Sequence, residues 1–368
     1  TFATSPRTRD EGSFTVDWMH QRLAARVQLT RSAQSTYGHS ARFDGSYVGL
    51  LVGDWMLSAG YVDRFWGPGW STSLAWSTQA RPMLSVAMER RQHTPWSFAP
   101  LSWLGPWNLV TLVAQVTDDR SLLKTAIAGS RLTIRPHRGV TLGVNYLGQT
   151  CRTIGCHATG IDNPLRRPPT SSNNPTPRMP SPGGQLGVDA RITPLLDVPI
   201  AIYAQGVLSA LGRRKPWNTY SWMGGVEAWG HTRKTTFRLY AEAIDGRPNP
   251  LDESINTTLT NFSYEGQSQG LPHATRAKTL ALGALWFLPD GHSLFAQSRS
   301  MQWKTNAPAM QPYYGASNGH HTLDLTYNYR WDRYTLSTSI GAVGKARLPD
   351  LTRKNIKGRG TLSLAINH

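Results

Sequence analysis

Leu323-Asp324-Leu325-Thr326-Tyr327-Asn328-Tyr329 is the stretch that decides the fold. Successive side chains of an extended strand point to opposite faces, so Leu323, Leu325, Tyr327 and Tyr329 share one face and Asp324, Thr326 and Asn328 the other. The same period recurs in Leu280, Leu282, Ala284, Trp286 and Leu288, in Val140, Leu142, Val144 and Tyr146, and in Phe237, Leu239 and Ala241. These runs last about 8 to 12 residues, the length a tilted strand needs to cross a bilayer. A soluble sandwich also alternates, so the connections have to separate the two architectures.

Eighteen such runs are expected, near 13–20, 23–32, 44–51, 54–63, 71–77, 83–91, 106–116, 124–135, 139–148, 184–193, 199–207, 218–228, 233–243, 276–287, 291–300, 319–330, 332–343 and 358–367. In the second half short connections (136–138, 194–198, 229–232, 288–290, 331) alternate with long ones (149–183, 244–275, 301–318, 344–357). A membrane barrel keeps that parity, with turns at one end and loops at the other. Between 92 and 106 the alternation slips, which leaves the early register open to a shift by one strand. The reading is an all-β, transmembrane antiparallel barrel of about 18 strands. It forms a single domain over 1–368, with an N-terminal segment at 1–11, long loops at 149–183 and 244–275, and loops folded over or into the lumen. Leu362, Leu364 and Ile366 alternate up to the C-terminus like a barrel's closing strand, although His368 stands where such strands usually end in an aromatic.

Composition agrees. The 368 residues hold 14 Trp, 13 Tyr and 9 Phe, with 34 Gly and 24 Pro, and charged residues make up only 17%, below the roughly 25% of soluble domains. No window of 18 apolar residues exists, which excludes a membrane-spanning helix. Lys and Arg number 39 against 22 Asp and Glu, a net charge of +17 that points to a polyanionic partner. The basic residues are scattered through alternating strands, so nucleic acid is the least fitting polyanion. The chain begins with Thr1, and a cleaved signal peptide ahead of it is expected, with export to the bacterial outer membrane. Cys151 and Cys156, close together in a loop, are expected to form a disulfide; a zinc site is the weaker alternative, because His157 is the only adjacent ligand.

The segment richest in chemistry is Asp63-Arg64-Phe65-Trp66-Gly67-Pro68-Gly69-Trp70-Ser71, followed by Ala80-Arg81-Pro82. Two readings stand side by side. Trp66 and Trp70 on a stiff Gly-Pro-Gly turn would stack on sugar rings while Asp63, Arg64 and Arg81 bond hydroxyls and carboxylates, or the tryptophans would anchor a barrel rim. Trp103 and Trp107 form a second candidate sugar platform, against which stands a rigid inward-folded loop that plugs the pore. Arg213, Arg214 and Trp217 form a third, and the basic run Arg353, Lys354, Lys357 and Arg359 would meet either glycan or lipid phosphate. Arg238 and Glu242 share the less apolar face of their run and would line the lumen in a charged network between wall and plug.

Val52-Gly53-Asp54-Trp55, the 63–70 segment, Ala80-Arg81-Pro82 and Ser102-Trp103-Leu104-Gly105-Pro106-Trp107 together resemble the capsule-assembly Wzi family. Arg238-Leu239-Tyr240-Ala241-Glu242 and Asn261-Phe262-Ser263-Tyr264-Glu265 resemble its later landmarks, in order, whereas the loop at 149–183 has no counterpart there. The resemblance implies an eighteen-stranded outer-membrane barrel that acts as a surface lectin for capsular or exopolysaccharide. The partners it implies are an anionic polysaccharide, outer-membrane lipid and the polysaccharide export machinery. Relatives of the same barrel type serve as export porins, so an export pore is the alternative and a general anion porin a third.

Enzyme motifs are thin. Gly315-Ala316-Ser317-Asn318-Gly319 satisfies G-x-S-x-G without the strand, turn and helix that a nucleophile elbow needs. Ser121-Leu122-Leu123-Lys124 matches S-x-x-K without its partner motifs, and His320-His321 lacks metal-ligand spacing. No catalytic residue, cofactor or metal is expected.

Overall fold

The structure, a computed structural model, describes residues 11–32, 41–78, 80–116, 125–151, 184–193, 198–209, 220–246, 263–264, 267–268, 277–303, 319–332, 334–345 and 357–366. Its first strands are β1 (Glu11–His20), β2 (Leu23–Ser32), β3 (Ala41–Arg42), β4 (Tyr47–Val52), β5 (Trp55–Tyr61), β6 (Leu84–Arg90), β7 (Trp107–Val116), β8 (Thr125–His137) and β9 (Val140–Cys151). Then follow β10 (Gly184–Ile192), β11 (Ile200–Ser209), β12 (Tyr220–His231), β13 (Thr236–Asp245) and a separate small hairpin, β14 (Ser263–Tyr264) with β15 (Gln267–Ser268). The last are β16 (Ala277–Phe287), β17 (His292–Trp303), β18 (Gly319–Trp331), β19 (Tyr334–Lys345) and β20 (Lys357–Ile366).

Among the described residues all but the small hairpin belong to one 18-stranded antiparallel sheet in which successive crossings of the wall are paired. Because β3 and β4 both pair with β2, at Thr30–Arg31 and at Leu23–Arg26, they are two pieces of one broken strand. Seventeen crossings therefore remain among the described residues. An odd antiparallel meander leaves β1 and β20 running the same way, so they cannot be antiparallel neighbours, and no ladder joins them among the described residues. Among the described residues, then, the first and last strands are not sealed to each other, and the sheet is barrel-like.

The difference from eighteen expected runs lies at 71–77. Ser71-Thr72-Ser73-Leu74-Ala75-Trp76-Ser77 alternates on paper, yet it has no ladder beyond a single bridge between Trp66 and Trp76. Thr72 to Ser77 are all buried, on both faces, so the segment lacks the lipid-facing side that every wall strand shows. Removing this run also repairs the slip in the connections. The segment 62–83 then leaves β5 at the long-loop end, and 91–106 joins the tight turns at 21–22, 53–54, 138–139, 232–235 and 288–291.

The sheet is inside-out by the standard of a soluble protein. Val86, Val113, Val188, Ile202, Leu280 and Leu323 are exposed on the outer face, while Asn145, Asp189, Gln205, Glu227, Glu242 and Gln297 are buried on the inner one. An apolar outside around a polar inside is what a bilayer demands of a barrel. At the turn end the outer face carries Trp18, Trp55, Trp107, Tyr329, Trp331 and Tyr334, with Tyr329 stacked on Trp331 at 4.9 Å and Trp331 on Tyr334 at 5.5 Å. Such a belt marks the level of the lipid headgroups.

Candidate functional site

Residues 62–83 enter the lumen as a plug. The buried core gathers Trp66, Leu74, Ala75, Trp76, Ala80 and Met83 of this segment with Ala87 of β6, Val110, Leu112 and Ala114 of β7, Ile127 of β8, Leu147 of β9, Val207 of β11, Met223 of β12 and Ile244 of β13. One loop thus meets inward side chains from most of a run of eight consecutive strands, which is possible only if the sheet curls around it.

Trp66 is the plug's apolar anchor. Only 4% of its surface is exposed, and its ring packs at 5.4 Å from that of Trp76. Its backbone N–H donates to the Trp76 carbonyl at 2.8 Å, and its own carbonyl accepts from Gln205 Nε2 at 2.8 Å and from the Ser73 hydroxyl. The socket is Gly129, where an added Cβ would lie 2.9 Å from the Trp66 ring and 2.7 Å from Leu147. Trp66 is thus packed inside the lumen, where it is neither an open sugar platform nor an anchor at the barrel rim.

The plug's tip, Gly67 to Ser71, is tied down by the wall of β12 and β13. The Glu242 carboxylate accepts from the backbone N–H groups of Trp70 and Ser71, the latter at 3.0 Å, from the Ser71 hydroxyl, and from the Tyr203 hydroxyl at 2.8 Å. Trp70 donates through Nε1 to Glu227 at 2.7 Å, stacks on Tyr240 at 5.8 Å, and lies under the Arg238 guanidinium at 5.0 Å. Glu227 in turn holds Arg191 at 2.8 Å and Arg238 at 3.2 Å, so a buried carboxylate is paid back by two cations and an indole. Arg238 and Glu242 therefore join wall to plug, as their strand face implies. Gly69 is needed here because a Cβ would sit 2.4 Å from the Thr72 carbonyl and 2.7 Å from Met223 Cε.

At the plug's exit Arg81 makes a two-pronged bond to Asp44, both contacts at 2.9 Å and both side chains about 15% exposed or less. Its guanidinium is a structural clamp rather than an open glycan contact. Asp63 is half-buried and bonded within the protein. Arg64 differs: its Nε is buried without a hydrogen-bond partner among the described residues, and Glu89 is the charge that opposes its burial. Burial holds this guanidinium below its ordinary pKa. Phe65 beside it is exposed.

Trp103 and Trp107 are far from this group. Trp103 lies within 91–106 and Trp107 opens β7, both at the turn end, whereas the plug enters at the opposite end; the inward-folded loop is 62–83 and not 102–107. The sequence places them in one motif cluster with Trp66 and Trp70, and the extra turn of the chain through β6 separates them. Arg213, Arg214, Trp217 and Cys156 lie outside the described residues, and Cys151 is the last residue of β9. Among the described residues no group of His, Cys, Asp and Glu side chains has the arrangement of a metal site. Sequence reasoning missed Gln205, Glu227, Tyr240 and Asp44. The available signal was a carboxylate or amide, such as Glu227 between Val226 and Ala228, standing alone on the inner face of an apolar strand.

An antiparallel sheet with apolar exterior, polar interior and a loop bolted across its lumen defines an outer-membrane β-barrel of the plugged kind. Comparison with known proteins carries this further: the chain belongs to the capsule assembly protein Wzi family, whose model matches residues 6–355. An uncharacterised 55.8 kDa protein of the Klebsiella pneumoniae cps region is 28% identical over 224 residues, 57% of this chain and 42% of that protein, so the match spans about two fifths of the relative's length. Among solved structures, Wzi of Escherichia coli, described as a carbohydrate-binding β-barrel of the outer membrane involved in group 1 capsule assembly, superposes with a TM-score of 0.72 at 18% identity over 97% of this chain and 77% of its own. OccAB4 of Acinetobacter baumannii gives 0.52 at 9% identity, covering 97% of this chain and 90% of that one. These likenesses are of fold.

Proposed function

We propose that this barrel binds an acidic capsular or exopolysaccharide at the cell surface and helps to assemble it there, without catalysing a reaction. The observation that carries the reading is the plug: a lumen crossed by 62–83, hydrogen-bonded to Gln205, Glu227 and Glu242, is built as a rigid scaffold and not as a wide conduit. Family membership supports the same role, and the +17 charge supports an acidic glycan. The long-loop end carries the contact surface, with Arg213, Arg214 and Trp217 supplying cations and an aromatic face to the polymer. Export machinery is a partner at the stage where the finished polymer emerges.

The test pairs two measurements on one deletion strain. Restoring the gene is expected to return polysaccharide from the medium to the cell surface, while the purified protein passes little current in a planar bilayer. Polymer trapped in the periplasm together with a large steady conductance would make the protein an export pore instead.

A further inference from the structure

The segment 91–106 does not fold inward, and its position gives it a separate task. Along β7 the buried residues Val110, Leu112 and Ala114 face the lumen, so Trp107, Leu109, Thr111 and Val113 face lipid. On β5 and β6 the pair Leu57–Met88 is exposed, and two positions along that face comes the pair Trp55–Arg90. Arg90 and Trp107 thus meet on the outer wall, with the guanidinium 4.0 Å from the ring centroid. Arg90 donates to the Trp107 carbonyl at 2.8 Å and to Thr94 Oγ1 at 2.6 Å, and Trp96 stacks on Trp107 at 4.2 Å and 12°. The loop is therefore laid over the outside of the barrel. Gly105, at φ +68°, presses against the Arg135 carbonyl and fixes its return.

From this base a 3-10 helix, Ala99–Leu104, projects with Phe98 63% exposed and Trp103 68% exposed. Two large aromatics left this exposed in one short loop mark a surface that meets something other than water. They stand at the barrel end that carries the aromatic belt, where the exposed cations Arg22, Arg91, Arg135, Arg138, Arg233 and Lys234 outnumber the exposed acids Asp290 and Asp332. Indole and phenyl rings favour the headgroup level of a bilayer, and cations around them match lipid phosphate.

We infer that 91–106 is an interfacial anchor that inserts Phe98 and Trp103 into the periplasm-facing phospholipid leaflet of the outer membrane. The inference rests on the membrane-barrel fold and is independent of what the opposite end binds. The anchor fixes the barrel's depth and tilt and keeps its turn end level with the membrane surface.

Nitroxide labels test it on the full chain in phosphatidylethanolamine/phosphatidylglycerol vesicles, in a Cys151→Ser/Cys156→Ser background. Labels are attached singly to Trp103→Cys, Phe98→Cys, Val86→Cys and Arg233→Cys. Relative to position 233, positions 103 and 98 are expected to be several-fold more accessible to dissolved oxygen than to a water-soluble nickel complex, as Val86 is. Nickel accessibility at 98 and 103 equal to that at 233, with Val86 still in lipid, overturns the anchor and leaves an aqueous face open to a protein. If Val86 also reads as aqueous, the membrane placement of the barrel fails instead. Two label positions guard against a variant that does not fold, and retention of heat-modifiable migration identifies folded samples.

Discussion

Glu242 of β13 receives the backbone N–H of Trp70, a residue 172 positions earlier, and so bolts the tip of an inserted loop to the far side of its own barrel. The same carboxylate takes the Ser71 N–H and hydroxyl and the Tyr203 hydroxyl. Four donors on one buried anion leave it no need of water, which is how a charge can sit inside the lumen at 1% exposure.

Glu242→Ala is expected to strip all four donors at once. Each buried donor left without an acceptor costs on the order of 1 to 3 kcal/mol, so a total near 3 kcal/mol is a conservative expectation. The midpoint of heat-modifiable unfolding would fall, and current fluctuations absent from the parent protein would appear in bilayers as the plug loosens. An unchanged midpoint with a silent bilayer would contradict the bolt.

The clamp between Arg81 and Asp44 is expected to behave as a pair. Breaking a buried ion pair from one side leaves an uncompensated charge worth roughly 3 kcal/mol, less here because both groups keep some contact with solvent. Arg81→Ala and Asp44→Ala should each destabilise more than half as much as the double variant. Additive losses in a double-mutant cycle would show that the two groups do not act together.

Trp66→Ala distinguishes an anchor from a sugar platform. A vacated tryptophan socket costs about 3 to 5 kcal/mol. Glycan retention per folded molecule should stay at the parent level, measured by binding of labelled polysaccharide to protein that has passed the heat-modifiability assay. A folded Trp66→Ala protein that has lost glycan binding would restore the platform reading.

The loop triplet is expected to show the reverse pattern. Arg213→Ser/Arg214→Ser/Trp217→Ala should leave unfolding unchanged and weaken polysaccharide binding by about 10-fold or more, the equivalent of roughly 1.4 kcal/mol. Added salt should weaken the parent's binding and have less effect on the triplet, because screening acts on the charges the triplet lacks.

Much of the architecture was legible from periodicity. The run from Leu323 to Tyr329 falls inside β18, and the expected runs at 184–193, 233–243 and 276–287 coincide with β10, β13 and β16 to within a few residues. Period-two patterning is a local property, set by each side chain's choice between lipid and lumen. The face shared by Arg238 and Glu242 was legible for the same reason. The run at 71–77 was misread because its serines and apolar residues alternate as a wall strand would, and nothing local tells lipid from a packed lumen.

The sequence by itself determined that the chain is a membrane barrel with turns at one end and loops at the other, since both follow from side-chain alternation and connection length. Only the tertiary structure decided that Trp66 and Trp70 are plug anchors and that Trp103 stands exposed at the opposite end. The physical reason is range: whether an indole meets a sugar, a lipid or Glu227 depends on strands more than a hundred residues away, and their convergence on 62–83 is written in no single segment.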